Sequence, residues 1–182
     1  MQHEKEADVR VLVTAASRHG ATIEIAQEIG RVLREAGLGV DVEPIEDIEG
    51  VARYDGVIVG SAVYVGRWLP AAVDFVKAHR AELAERPVWL FSSGPIGSPE
   101  PKPTTPPQDV ADLAASIEAR DHSIFPGKID RNRLSFGERT IVRVVRAPEG
   151  DYREWATIDA WAADIAGQLT GQTSAQPVEA PA

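Results

Sequence analysis

The chain has no cysteine and a single methionine in 182 residues. Disulfides, thiolate metal sites, iron–sulfur clusters and cysteine nucleophiles are therefore excluded from any account of what it does. Long apolar runs are also missing. No stretch approaches the roughly 20 residues that a membrane-crossing helix requires, and residues 1–8 are polar and acidic rather than a signal peptide. Basic residues are in deficit, 19 against 28 acidic ones, and a formal net charge of −9 disfavours general binding to nucleic acid. The dinucleotide fingerprint Gly-x-Gly-x-x-Gly is absent, as is the Gly-Lys-Ser/Thr ending of a nucleotide P-loop, which makes NAD and ATP weaker guesses. The apolar share of 43% and charged share of 26% are those of a soluble globular protein. The expectation is a cytoplasmic domain over residues 9–169, with a polar lead at 1–8 and a disordered tail at 170–182.

What is present alternates. Val9–Thr14, Val57–Val59 and Val88–Ser92 are short, largely β-branched runs, the pattern of strands buried on both faces. Val40 and Val42 alternate with Asp41 and Glu43 as in a half-exposed strand, and His122–Phe125 with Gly127–Ile129 reads as a last strand broken at Pro126-Gly127. Helical spacing runs over Thr22–Ala36, Pro70–Leu83, Gln108–Arg120, Leu134–Val145 and Ile158–Leu169, with Gly37 positioned to stop the first. Strands joined through helices by short turns require right-handed crossovers, hence an α/β domain: a doubly wound, five-stranded parallel sheet of order 2-1-3-4-5 with helices on both faces. Its ligand crevice lies at the carboxyl ends of strands 1 and 3.

Ser17-Arg18-His19-Gly20-Ala21-Thr22 falls at that crevice. A strand that turns abruptly into a helix leaves the first helical N–H groups unpaired at the positive end of the helix dipole, which is an anion site. Ser17 and Thr22 add hydroxyls, and Gly20 allows close backbone approach. An ordinary turn whose Ser and Thr cap the helix would carry the same residues. The spacing Ser-x-x-Gly-x-Thr-x-x-x-Ala, ending at Ala26, resembles the phosphate-binding signature of the flavodoxin superfamily, where this loop wraps the phosphate of FMN.

Two further loops agree. Ser61-Ala62-Val63-Tyr64-Val65-Gly66 follows strand 3, with small residues at its start, Tyr64 as the candidate to stack on a flat apolar ring, and Trp68 beyond as a packing residue. Ser92-Ser93-Gly94-Pro95-Ile96-Gly97 follows strand 4, where glycine N–H groups could meet the edge of such a ring. It opens a proline-rich loop, Ser93–Pro107, too long for mere connection.

With all three loops the chain resembles a narrower group, the flavodoxin-like menaquinone-dependent protoporphyrinogen oxidases. The shared features are Ser-Arg-x-Gly-x-Thr at 17–22, Val-Ile-Val-Gly-Ser-Ala-x-Tyr-x-Gly at 57–66, Phe75-Val76-Lys77-x-His79, and Lys102, Pro103, Thr105 and Pro106 of the long loop. They continue through Leu134–Val145 to Gly150-Asp151-Tyr152-Arg153-Glu154-Trp155, a segment that short flavodoxins lack. The resemblance implies FMN as cofactor, a role in haem biosynthesis, protoporphyrinogen as electron donor, a quinone or respiratory-chain acceptor, and Gly150, Asp151 and Tyr152 near the flavin. An electron carrier acting through a protein partner is the alternative. No catalytic residue emerges, because the flavin supplies the redox chemistry; Arg18 is read as a cation near phosphate and His19 as a positioning residue without a visible carboxylate partner. Finally, residues 128–146 hold six basic residues, Lys128, Arg131, Arg133, Arg139, Arg143 and Arg146, against Asp130 and Glu138. Such a patch suits weak contact with an anionic membrane, at the inner face of the cell membrane, as well as a helix packed on its own domain.

Overall fold

A computed structural model describes residues 9–94, 106–130, 132–144 and 149–173, with the backbone alone at 108, 141–144, 172 and 173. The parallel sheet is built from β1 (Arg10–Ala16), β2 (Gly39–Pro44), β3 (Gly56–Tyr64), β5 (Val88–Ser93) and β6 (Asp121–Phe125), in the order β2-β1-β3-β5-β6. A two-residue strand, β4 (Arg67–Trp68), folds back antiparallel on β3. Apart from that appendage the order is the expected one. Alternation along the strands sorts side chains into two cores. Val11, Val13 and Ala15 pack with Ile58 and Phe91 under α1 (Ala21–Glu35) and α6 (Trp155–Thr173). Leu12, Val57 and Leu90 face the other way, onto α2 (Pro70–Ala78) and α4 (Gln108–Ser116).

Helix ends follow local chemistry. α1 stops at a Schellman turn, with Gly37 at φ 90° and Leu38 N–H bonded to Leu33 O at 3.2 Å. α4 stops in the same way at Glu118, φ 52°, with Ala119 N–H on Ala114 O at 2.9 Å, so the helix is shorter than the spacing through Arg120 implies. The helix expected over Pro70–Leu83 is two pieces, α2 and α3 (Arg80–Ala84), parted at His79. There φ −102° and ψ 16° leave the helical well, although the N–H still reaches Phe75 O. Conversely α6 runs on to Thr173, so the expected tail loses its first turn to helix.

Two expectations about strands need correction. The stretch from Gly60 to Tyr64 is not loop but the continuation of β3, because Val63 and Tyr64 pair with Trp68 and Arg67. And Lys128–Ile129 does not prolong the last sheet strand. As β7 it pairs antiparallel with β8 (Gly150–Asp151) in a separate ribbon. Pro126 has no N–H to offer the ladder, and the Gly127 carbonyl accepts from Tyr152 N–H instead. The basic segment is helical over α5 (Phe136–Val144); Arg131, Val145 and Arg146 lie outside the described residues.

Candidate cofactor site

Register brings the three loops side by side. Ala16 pairs with Ser61, and Ser61 with Ser92, so β1 and β5 end within one residue of each other on either side of β3, which runs on to Tyr64. Beyond β1 the chain reaches Gly20 in the left-handed region, φ 86°, as the N-cap of α1. Gly20 N–H donates to Ser17 Oγ at 3.0 Å, and the first helical bond runs from Glu24 N–H to Gly20 O. Ser17 therefore acts as an acceptor within the turn and keeps its own hydrogen to donate outward. The N–H groups of the first turn have no intrahelical acceptor. Thr22 is 2% exposed, yet nothing among the described residues takes its hydroxyl. Gly20 at the N-cap has no side chain to cap with, and the Ser17 hydroxyl oxygen is taken by the Gly20 N–H rather than by a first-turn N–H. Neutral N–H and O–H donors at the positive end of a 15-residue helix make a cradle that fits a phosphate.

The side chains of this loop point to a segment more than a hundred residues away. Glu138, near the start of α5, accepts from Arg18 Nη1 at 3.2 Å and lies 3.1 Å from His19 Nε2. His19 thus has a carboxylate partner that the sequence did not reveal. Arg133 Nη1 donates to His19 O at 2.9 Å. Burial works to raise the Glu138 carboxyl, but hydrogen bonds from Ser135, His19 and Arg18 outweigh it and hold it at about 2. Arg18 also lies over the Tyr64 ring, 4.7 Å from its centroid.

The second loop is a hairpin rather than an open connection. Val65 and Gly66, φ 49° and 70°, form its tip, an arrangement that Gly tolerates and a β-branched residue strains to adopt. Ser61 is fully buried, and its Oγ accepts from Leu69 N–H at 3.0 Å while bonding Ala62 O. Trp68 is the expected packing residue, with its Nε1–H on Ser92 Oγ at 2.8 Å. Ser92 in turn lies 2.8 Å from His122 Nε2, and burial pushes His122 below its ordinary value. The neutral imidazole accepts, giving a donor chain from Trp68 through Ser92 to His122. The Ser61 and Ser92 side chains therefore hold the hairpin onto the sheet. Gly60 has a packing reason of its own: a Cβ there would stand 2.1 Å from Phe91 Cζ.

At the third loop Ser93 is buried and Gly94, φ 94°, donates its N–H to Phe125 O at 2.9 Å. The expectation of a free N–H does not hold at Gly94; Pro95, Ile96 and Gly97 lie outside the described residues. Gly150, Asp151 and Tyr152 come to the phosphate-loop end. The link is Arg153, whose side chain is 4% exposed and reaches Glu24 at 2.5 Å, Ala21 O at 3.5 Å and both Asp151 oxygens. Glu138, Arg133 and Arg153 went unremarked in the sequence as neighbours of the loop. One trace was legible: Ser135-Phe136-Gly137-Glu138 is the capping-box pattern, and Ser135 N–H does donate to Glu138 Oε2 at 2.8 Å.

The geometry agrees with comparison to known proteins. A family model described as a flavodoxin domain matches residues 12–155. The protoporphyrinogen IX dehydrogenase [quinone] of Escherichia coli strain K12 is 24% identical over 172 residues, covering 87% of this chain and 95% of that protein. Among solved structures, a flavodoxin from the domain Archaea superposes with a TM-score of 0.62 at 16% identity, over 89% of this chain and 99% of that one. The two-electron reduced flavodoxin of Megasphaera elsdenii gives 0.55 at 21%, over 85% and 98%. With the match spanning most of the chain and a cradle suited to a phosphate at the crevice, the chain belongs to the flavodoxin domain family, and FMN is its cofactor.

Proposed function

We propose that the protein is an FMN-dependent oxidoreductase that takes electrons from protoporphyrinogen IX and passes them to menaquinone. The observation that carries this reading is the likeness to a protoporphyrinogen IX dehydrogenase [quinone] over 87% of this chain and 95% of that protein. FMN, when bound, supplies the electron-transfer chemistry. The chain's own part is to bind and orient it. Ser17, Thr22 and the first-turn N–H groups, with Arg18, His19, Gly20 and Ala21, hold the phosphate. Tyr64, with one ring face against Arg18, offers the other to the isoalloxazine. Ser61, Ala62, Val63, Val65 and Gly66 shape the hairpin beside it, Ser93 and Gly94 lie at the ring edge, and Gly150 to Tyr152 close the far side.

A lipid-soluble acceptor suits a cytoplasmic protein that touches the inner face of the membrane through residues 128–146. In support, Phe136 is 89% exposed and Arg139 is exposed beside it, and arginines near anionic lipid contribute roughly 1 kcal/mol each. None of the described helices is long and apolar enough to cross a membrane. Sedimentation with anionic vesicles at low salt, lost in an Arg139/Arg143/Arg146→Gln variant, is the expected result. The alternative, a flavodoxin-type electron carrier acting on a protein partner, draws on the likeness to flavodoxins over nearly their whole length. Anaerobic oxidation of protoporphyrinogen coupled to reduction of a menaquinone decides between them. Quinone reduction that depends on protoporphyrinogen supports the dehydrogenase; its absence from FMN-loaded protein leaves the carrier.

A further inference from the structure

Glu138 has two sets of partners on its two oxygens. Oε2 accepts from Ser135 N–H and so closes the first turn of α5, while Oε1 meets Arg18 and His19 of the phosphate loop. Arg133, on the same segment, caps the His19 carbonyl and lies 3.6 Å from where a Cβ on Gly20 would be. Residues 132–138 therefore cross the outside of the phosphate loop and hold it at three points. We infer that this segment is a strap that keeps the loop in its anion-binding form and governs how fast FMN leaves, with Glu138 as the positioning residue.

The physical reason lies in the loop itself. A turn through Gly20, closed on its own by the short-range bond from Gly20 N–H to Ser17 Oγ, has many alternative conformations, and fixing one beforehand removes an ordering cost from binding. The Glu138 charge does not oppose a phosphate nearby, because Arg18 neutralises it and Ser135 and His19 share its lone pairs. Release requires the loop to open, so the three contacts act on the off-rate. This inference rests on the reading of Ser17–Thr22 as the phosphate site.

The test follows FMN fluorescence on dilution of the holoprotein, which reads release without any substrate. Glu138→Gln is the informative change, since glutamine preserves the capping box but removes the charge that meets Arg18. It is expected to speed release about fivefold, the scale of a few partly exposed ionic contacts. Arg133→Gln gives a smaller acceleration and serves as a second, independent variant. Salt is expected to speed wild-type release toward that of Glu138→Gln and to leave the variant unchanged. Wild-type release rates in both Glu138→Gln and Arg133→Gln, with FMN bound, overturn the strap alone. Failure of the wild-type protein to bind FMN overturns the strap and the phosphate site together.

Discussion

The two ends of the candidate site are built from opposite materials. At the phosphate end the loop is held by charge: Arg18 and His19 on Glu138, Arg133 on His19 O, and Arg153 across Glu24 and Asp151. At the ring end the β3–β4 hairpin is held by neutral hydrogen bonds in the core, Ser61 to Leu69 and Trp68 through Ser92 to His122. Charge pairs near water are weak, screened and reversible. Buried neutral bonds add little when made but are costly to leave unmade. One end can therefore yield while the other stays rigid, which is what a site must do to admit a cofactor and still fix the plane of its ring.

The sharpest way to break the contrast is Ser92→Ala. It strands the Trp68 N–H and the His122 ring nitrogen in a buried site, and stability is expected to fall by about 2–4 kcal/mol in urea unfolding, equally at low and high salt. Thr22→Val comes next. It keeps the shape and removes a hydroxyl that none of the described residues uses, so stability holds while FMN affinity drops by about 1–3 kcal/mol in a fluorescence titration. Tyr64→Ala is expected to cost about 1 kcal/mol of FMN affinity and to shift the flavin potential, since an aromatic face disfavours the anionic reduced ring; a redox titration measures both.

The smallest effects separate the two ends by pH. His122 is held below its ordinary 6.5, so its folded form prefers the neutral ring, and the ring end loses stability as pH falls below 6.5. Glu138 is held at about 2 against an ordinary 4.5, so its contribution is complete above 4.5 and disappears only as pH falls from there toward 2. Imidazole resonances of His122 and FMN release rates across acid pH, followed together, are expected to move in that order.

The parallel sheet was legible because burial on both faces writes continuous apolar runs, and α1 was legible because a glycine stands where its stop must be. The end of α4 was not: Glu118 adopts the same left-handed turn with a side chain that signals nothing. β4 and β7 are two residues long, below the length at which alternation carries information, and their pairing is decided by partners distant in sequence. The turn from β1 into α1 could be read because its residues are local to one another. Its fastening could not, since Glu138 and Arg153 reach it across 119 and 132 positions. Ser61 and Ser92 looked like ligand contacts for the same reason in reverse: small polar residues at strand ends look alike whether they face a ligand or bond inward.

The place of α6 in the chain gives it a further meaning. Ile158, Ala162, Ile165 and Leu169 supply part of the cover over Val11, Val13 and Ala15, so this face of β1 is closed only by a helix more than 140 residues further along the chain. The phosphate loop shares that fate, since Glu138, Arg153 and α6 all follow it by more than a hundred residues. The loop's own residues thus form only the inner half of the cradle, and its outer fastening is a property of the tertiary fold.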